Sequence, residues 1–301
     1  MPGPERFAVL ALFGPTGVGK TAVAIAIAER LRAHGERPVA VSADALQLYA
    51  GLEILTGAAN AAEQARLEHR LLGFLPIDAR CSAGEFAALA HAEIDGLVAQ
   101  GALPIVVGGT GLYLRAALAD LDLKPPAPPE VRERLESDVA ARGAEALHAE
   151  LARRAPWAAE GIAPTDRQRI VRALELDAIG ALEPPPEQSQ LWTGETRHPT
   201  RLVGLVMQRE ALYARIDARV DAMVAAGAIE EVRAAHAAGA SPSARHALGF
   251  DELLQGDVEA MKRRTRNYAK RQLTWMRKLP DVELVDVTGR EPDDIARELV
   301  G

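Results

Sequence analysis

Apolar residues along this chain alternate between short continuous runs and longer stretches with helical spacing. Four runs have the length and composition of buried strands, at residues 7–13, 38–44, 103–107 and 201–207. Helical spacing appears between and after them, at residues 22–31, 84–100, from about 112 onward, and at 210–225 and 229–238. Strands that alternate with helices predict an α/β fold with a doubly wound parallel sheet.

A phosphate-binding loop connects the first predicted strand to the first predicted helix. Residues 14–21 read GPTGVGKT, which matches the G-x-x-x-x-G-K-[ST] pattern in its strand–loop–helix context. The glycines let backbone N–H groups point at phosphate oxygens, and the helix N-terminus adds a partial positive charge. The fold is therefore of the P-loop type, although the motif does not specify a nucleotide as the ligand. The predicted phosphate-binding residues are Gly14, Pro15, Thr16, Gly17, Val18, Gly19, Lys20 and Thr21, of which Thr21 offers a hydroxyl to Mg²⁺.

Two further predicted strands end near residues that could act on a bound ligand. The second run ends at Asp44, and the third leads into a Gly-Gly-Thr turn that contains Thr110. Ligands of such sheets bind beyond the carboxyl ends of the strands, so both residues are expected beside the phosphate loop. Asp44 fits the N-cap of a following helix equally well. The third run ends at Val107 and is followed by Gly108 and Gly109, so it lacks the strand-end carboxylate with which nucleotide-hydrolysing proteins hold Mg²⁺, and hydrolysis is not indicated.

Two proline clusters, KPPAPP at 124–129 and EPPP at 183–186, bracket a region with helical patterns. The predicted helices are 130–142, 145–153 and about 166–180. We predict that residues 120–199 form an inserted all-helical domain and that residues 1–119 and 200–301 form the P-loop core. Within the insertion, Arg169 and Arg172 lie on one helix face, for which a solvated surface is the simpler interpretation in isolation.

A strongly basic helix is predicted at residues 261–279, which read MKRRTRNYAKRQLTWMRKL. Wound at about 100° per residue, its cations form two neighbouring columns. These are Arg263, Lys270 and Arg277 in one column and Arg264, Arg271 and Lys278 in the next. An adjoining face carries Tyr268, Gln272 and Trp275. This pattern fits contact with a nucleic-acid backbone while the aromatic face docks on the core, and a solvated face or an anionic partner is the alternative.

Composition narrows the class of protein. With 301 residues and 48% apolar content, the chain can bury a large core. Its single cysteine, Cys81, excludes an internal disulfide and suits a reducing cytoplasm, where we expect the protein. No apolar run approaches the roughly 18 residues of a membrane span, and no N-terminal stretch has a secretory pattern, so no membrane partner is expected. The net charge of −7 conceals the local basic helix.

Together these features resemble the tRNA dimethylallyltransferases, also called tRNA isopentenyltransferases. The matching segments, in the family's order, are GPTGVGKT at 14–21, ADALQLY at 43–49, VGGTGLYLRA at 107–116, DRQRIVRALE at 166–175, ALGFDEL at 247–253 and RNYAKRQLTW at 266–275. The resemblance covers nearly the whole chain. It implies that a dimethylallyl group is transferred from dimethylallyl diphosphate to the exocyclic N6 amine of the adenine 3′ of the anticodon in tRNA.

The resemblance also implies roles for individual residues. Asp44 would be the general base, Thr110 would position the amine or the diphosphate, and Lys20 would bind the departing diphosphate with Mg²⁺. Arg219 would add a further cation, with Arg215 as the second candidate. The implied contacts to the anticodon stem-loop of tRNA are Asp44, Ala45, Leu46, Gln47, Thr110, Arg132, Gln168, Arg169, Ile170, Val171, Arg172, Arg245, His246, Ala247, Leu248, Gly249, Phe250, Lys270, Arg271, Gln272, Trp275 and Arg277. We expect the protein to be a monomer.

Three other functions share parts of this pattern. A small-molecule kinase would use the loop to bind ATP, but it needs a second phosphate clamp that the sequence does not reveal. An isopentenyltransferase acting on free adenine nucleotides would share the active site, and here the insertion and the basic helix favour tRNA. A P-loop RNA-binding module without catalysis would not need Asp44.

Overall fold

A six-stranded parallel sheet forms the centre of the α/β part of this computed structural model, which describes residues 7–184 and 190–301. The strands are β1 (Val9–Phe13), β2 (Pro38–Ser42), β3 (His69–Arg70), β4 (Leu103–Gly108), β5 (Thr200–Val206) and β6 (Glu283–Asp286). They lie in the order β3-β2-β4-β1-β5-β6, and every neighbouring pair is parallel. The predicted α/β fold with a parallel sheet is confirmed. Strands β3 and β6 were not predicted.

The chain divides into two compact units. One, which we call the α/β unit, comprises residues 1–121 and 191–301, and the other, the helical unit, comprises residues 122–190. The helical unit thus begins and ends inside the predicted insertion of residues 120–199. Pro185 and Pro186 of the second proline cluster lie outside the described residues.

The helices follow the predicted pattern closely. The α/β unit contains α1 (Lys20–Ala33), α2 (Glu53–Thr56), α3 (Ala61–Arg66), α4 (Ala83–Ala99) and α5 (Gly111–Leu118) before the helical unit. The helical unit contains α6 (Pro129–Arg142), α7 (Ala144–Arg154), α8 (Pro156–Glu160) and α9 (Arg167–Ala178). The α/β unit then continues with α10 (Arg209–Ala225), α11 (Ala228–Ala237), α12 (Phe250–Leu254), α13 (Val258–Met276) and α14 (Pro292–Val300). Helices α2, α3, α8, α12 and α14 were not predicted.

The main hydrophobic core lies between the sheet and the helices that pack on it. Strand β1 is buried along its whole length, as continuous apolar runs of parallel sheets are. Helix α1 contributes a nearly continuous apolar surface, including Ile25 and Ile27, and packs against α14. Residues Leu212 and Ile216 bring α10 into the same core. Because the strands are parallel, the residues that follow β1 and β4 lie at the same edge of the sheet.

The helical unit has a core of its own, in which Leu147, Leu151 and Ile170 are buried. Its helix α9 is capped by the preceding residue, Asp166, whose side chain accepts a hydrogen bond from the Arg169 amide at 3.1 Å. In the described part of the chain, no helix of either unit is long and apolar enough to cross a bilayer.

Candidate active site

The phosphate loop leaves β1 and ends where α1 begins, as the sequence predicts. Gly19 has a φ of +102°, a conformation that L-residues with side chains rarely adopt. A Cβ atom at this position would also lie 3.2 Å from the Arg215 guanidinium. The loop therefore lies tightly against α10, and no side chain caps the first N–H groups of α1.

Lys20 is held inside this loop. Its Nζ donates hydrogen bonds to the carbonyl oxygens of Gly14, at 2.8 Å, and Pro15, at 3.1 Å. Burial lowers the pKa of Lys20 to about 8, and the charge of Arg219 acts in the same direction, whereas Asp44 opposes it. The ammonium is thus short of compensating charge in the free protein.

Arg215 and Arg219 lie one turn apart on α10 and face this loop region. Arg219 donates a long hydrogen bond of 3.5 Å to the Thr56 carbonyl, and burial lowers its pKa. A Cβ atom at Gly57 would lie 1.7 Å from the Arg219 guanidinium, so this approach requires glycine. In the described residues, none of Arg215, Arg219 and Lys20 forms an ion pair with an acidic side chain. Three unpaired cations around a phosphate loop suit a multiply charged anion.

Asp44 lies just after β2 and is the carboxylate whose charge acts on Lys20 and Arg219. One of its oxygens accepts a hydrogen bond from the Leu46 amide at 3.0 Å. The next residues form a turn, and no helix begins before Glu53, so the alternative role as a helix N-cap is wrong. Burial raises the pKa of the Asp44 carboxyl, against the opposing influence of the two cations. A raised pKa suits a group that accepts a proton during a reaction.

Thr110 lies at the end of the Gly-Gly-Thr turn that follows β4. Its hydroxyl oxygen is 2.7 Å from that of Tyr268 on α13, and it does not cap α5. Burial raises the pKa of Tyr268 to about 12, and the negative charge of Asp44 acts in the same direction. Tyr268 is the site residue that the sequence reasoning missed. Tyr268 lies four residues before Gln272, on the helix face predicted to dock on the core, and this spacing could have indicated that it belongs to the site.

Gln272 joins three parts of the site. Its side-chain oxygen accepts a hydrogen bond from the Thr16 amide at 2.9 Å, and its side-chain nitrogen donates one to the Gly109 carbonyl at 2.7 Å. One helical turn later, Trp275 packs so closely on α5 that a Cβ atom at Gly111 would lie 2.0 Å from its ring. Gln272 is 5% exposed and its side chain is engaged in these two hydrogen bonds, so its predicted contact with RNA stays a prediction.

The residues implied to contact RNA separate into surface and interior groups. Those with exposed side chains are Gln168, Arg169, Arg245, His246, Lys270, Arg271 and Arg277, and those partly buried are Ala45, Leu46, Gln47, Arg132, Arg172, Leu248 and Trp275. Ile170, Val171, Ala247, Gly249 and Phe250 are buried, so their side chains do not reach the surface of the free chain, and their contact with RNA stays a prediction. Arg132 and Arg172 pair with the buried Glu175 at 3.1 and 3.2 Å and so also stabilise the helical unit.

The described residues form an α/β protein with a parallel sheet, a glycine-rich loop after β1 and a cluster of cations beside that loop. The model of the IPP transferase family matches residues 47–279, and the chain belongs to this family. The resemblance that the sequence suggests is therefore confirmed.

Full-length relatives agree with this assignment. The chain is 40% identical over 311 residues to the tRNA dimethylallyltransferase of Kineococcus radiotolerans, an alignment that covers 99% of this chain and 97% of that protein. It is 33% identical to the solved structure of the full-length tRNA isopentenylpyrophosphate transferase of Bacillus halodurans, with a TM-score of 0.69 and coverage of 98% and 94%. A solved eukaryotic dimethylallyltransferase acting on tRNA, 24% identical over 93% of this chain and 74% of its own, has the same fold, with a TM-score of 0.71.

Proposed function

We propose that this protein is a tRNA dimethylallyltransferase, which transfers a dimethylallyl group from dimethylallyl diphosphate to the N6 amine of the adenine 3′ of the anticodon. Its similarity to tRNA dimethylallyltransferases along nearly their whole length supports this activity. The observation that supports it most within the chain is the position of Asp44. This carboxylate, whose pKa burial raises, lies within electrostatic range of Lys20 and Arg219.

In the proposed reaction, the N6 lone pair forms a bond with C1 of the dimethylallyl group, and the bond from C1 to the diphosphate oxygen breaks. The electron pair of that bond leaves with the diphosphate, and the N6 proton moves to Asp44. The amine is a poor nucleophile because its lone pair is delocalised into the adenine ring. A positioned base contributes a factor of roughly 10² to 10⁴ to the rate.

The three cations of the site stabilise the charge that develops on the leaving diphosphate. Lys20, Arg215 and Arg219 have no acidic partner in the described residues, so they are available to the anion. Because they are held by the loop and by α10 before the donor binds, little reorganisation is needed in the transition state. The hydroxyls of Thr110 and Tyr268, which are 2.7 Å apart, would orient the amine or the diphosphate.

Mg²⁺ fits this site as a partner of the diphosphate. Among the described residues, no group of three or more His, Cys, Asp or Glu side chains could hold a metal ion. The hydroxyl of Thr21, partly exposed in the first turn of α1, is the ligand that the chain offers, and phosphate oxygens and water suit the remaining positions. The positive charge of the ion would stabilise the negative charge that develops on the leaving diphosphate.

The tRNA is proposed to contact the helical unit and the basic face of α13. Arg169 has a side chain that is 71% exposed, and Lys270, Arg271 and Arg277 are exposed on α13. Exposed cations of this kind suit the phosphates of an anticodon stem-loop, whose unpaired bases can be read individually. We further propose that the enzyme acts as a monomer in the cytoplasm, since one chain contains every group that the reaction uses.

The proposal is tested with labelled dimethylallyl diphosphate, Mg²⁺ and unmodified tRNA. We expect label to enter the tRNA with the wild type, and about 10²-fold less with Asp44→Asn. Asp78→Asn changes an exposed aspartate and is the matched control. Label that enters AMP or ADP but not tRNA would favour the free-nucleotide reaction. Phosphate transfer from ATP would favour a kinase, and tRNA binding without transfer would favour a binding module.

A further inference from the structure

The short helix α2 contacts the cation cluster of the candidate active site through its C-terminal end. The Thr56 carbonyl, which ends α2, accepts the hydrogen bond from Arg219 at 3.5 Å. A Cβ atom on the next residue, Gly57, would lie 1.7 Å from the Arg219 guanidinium, so the guanidinium lies directly against this turn. The last carbonyl groups of a helix have no partner within the helix, so they are available to a cation. The position of the Arg219 guanidinium therefore depends on the position of α2.

The opposite end of α2 is held by a side chain of α11. Oε1 of Glu231 accepts a hydrogen bond from the Ile54 amide at 2.8 Å, and Oε2 accepts one from the Leu55 amide at 2.7 Å. The N-cap residue of α2 is Leu52, whose side chain cannot accept a hydrogen bond. A carboxylate 176 residues further along the chain thus caps α2. Its negative charge also suits the N-terminal end of a helix.

Apolar packing joins the same two helices but does not explain the carboxylate. Leu52 and Leu55 share a hydrophobic core with Val232 of α11. Such packing is not directional, whereas two oxygens of one carboxylate bound to consecutive amides fix the direction of a short helix. Burial raises the pKa of Glu231, and the hydrogen bonds from the two amides act in the opposite direction. A half-buried carboxylate costs solvation free energy, so we look for a role beyond packing.

We propose that Glu231 is a positioning residue for the dimethylallyl diphosphate donor. It holds α2, the C-terminal turn of α2 holds the Arg219 guanidinium, and Arg219 binds the diphosphate. Glu231 thus acts through α2 and not by contact with the donor. The inference deepens the proposed function and rests on it, because that function supplies the diphosphate.

Two substitutions of Glu231 and one of its neighbour test this role. Glu231→Gln keeps the size of the side chain but replaces one acceptor by an NH₂ group, which cannot accept a hydrogen bond from an amide. Glu231→Ala removes both acceptors without adding a donor, and it is the second variant if Glu231→Gln does not fold. Glu230→Gln changes the exposed neighbouring glutamate in the first turn of α11 and is the matched control. Urea unfolding establishes that each variant is folded.

Calorimetry in the presence of Mg²⁺ measures the dissociation constants of a non-reactive dimethylallyl diphosphate analogue and of inorganic diphosphate. We expect Glu231→Gln to weaken both ligands by about tenfold, because a displaced guanidinium loses charge-assisted hydrogen bonds to the diphosphate. Glu230→Gln should leave both constants unchanged. The affinity for an unmodified anticodon stem-loop RNA, measured without donor, should change by less than about twofold in Glu231→Gln, since the role concerns the donor alone.

A double-mutant cycle with Arg219→Gln separates positioning from a general loss of structure. If Glu231 acts through Arg219, Glu231→Gln should weaken diphosphate binding by no more than about twofold once the guanidinium is absent. A purely structural role would weaken binding by the same factor with and without Arg219. It would also weaken the RNA together with the donor.

The inference is overturned if Glu231→Gln binds both diphosphate ligands like Glu230→Gln, or if its effect is equal in the two backgrounds. It is also overturned if the wild type binds neither ligand. Label transfer to tRNA is measured on the same proteins. Transfer by the wild type with unchanged diphosphate binding in Glu231→Gln refutes only the positioning role, whereas absent transfer with weakened diphosphate binding refutes only the proposed function.

Discussion

Replacement of Gln272 is expected to loosen the candidate active site without touching any group that reacts. Gln272→Leu keeps the size of the side chain but removes both hydrogen bonds, to the Thr16 amide and to the Gly109 carbonyl. These two bonds hold α13 to the phosphate loop and to the turn that carries Thr110. The substitution therefore separates the positioning of the site from its chemistry.

The expected cost follows from the two groups that lose their partner. A buried donor or acceptor without a partner costs about 1–3 kcal/mol. The bond to Gly109 is buried, whereas the Thr16 amide is partly exposed and can bond to water, so it contributes the smaller share. Burial of the more apolar leucine side chain offsets about 1 kcal/mol of this cost. We expect the free energy of unfolding to fall by about 1–4 kcal/mol.

Two measurements check this reasoning. Urea unfolding gives the change in stability, and kcat/KM for dimethylallyl diphosphate gives the change in donor handling, which we expect to fall by at least about tenfold because the loop loses its anchor. Gln100→Leu, an exposed glutamine at the end of α4, is the control. If Gln272→Leu matched this control in both measurements, the positioning role would be refuted.

Three further predictions concern charge and space. At neutral pH, the Asp44→Asn variant should unfold at a higher urea concentration than the wild type, because burial raises the pKa of Asp44 and disfavours its ionised form. The difference in stability should shrink toward pH 4, where the carboxyl of the wild type becomes protonated. As pH rises above about 8, Lys20 deprotonates, so kcat/KM for the donor should fall, but not in an active Lys20→Arg variant. Gly111→Ala should lower the free energy of unfolding, measured with denaturant, by about 1–3 kcal/mol because the new methyl group overlaps Trp275. Gly96→Ala, whose methyl group meets open space, should raise it by up to about 1 kcal/mol.

The strands that could be predicted from the sequence are those with a continuous apolar run. β1, β2 and β4 are almost wholly buried and β5 is buried in its second half, and each has such a run. β3 has only two residues, and β6 lies at the sheet edge, where Leu284 is 59% exposed. Short or exposed edge strands need little apolar character, so their sequence does not distinguish them from loops.

The sequence could predict those residues of the candidate site that come directly after a strand. Asp44 and Thr110 lie directly after β2 and β4, and the position of strand ends in a parallel sheet follows from topology alone. The contact of Gln272 with Thr16 joins residues 256 apart, and it depends on how α13 docks. Helical spacing gives the face of a residue but not its partner.

The interior position of several implied RNA contacts has a similar physical reason. The stretch from Gln168 to Arg172 lies within α9 and is longer than one helical turn. Side chains of such a stretch point around the whole circumference, so some must enter the core. Here Ile170 and Val171 do so, while Gln168 and Arg169 are exposed.

The charges of the active site favour the bound state over the free one. Burial lowers the pKa values of Lys20 and Arg219 and raises that of Asp44, so each group is held in a form that its surroundings disfavour. Lys20 and Arg219 also repel each other, as the influence of Arg219 on the Lys20 pKa indicates. A diphosphate between the cations relieves this repulsion, and a proton received from the amine neutralises Asp44. These unfavourable interactions lower the stability of the free protein. Their relief therefore favours binding of the donor and transfer of the proton to Asp44.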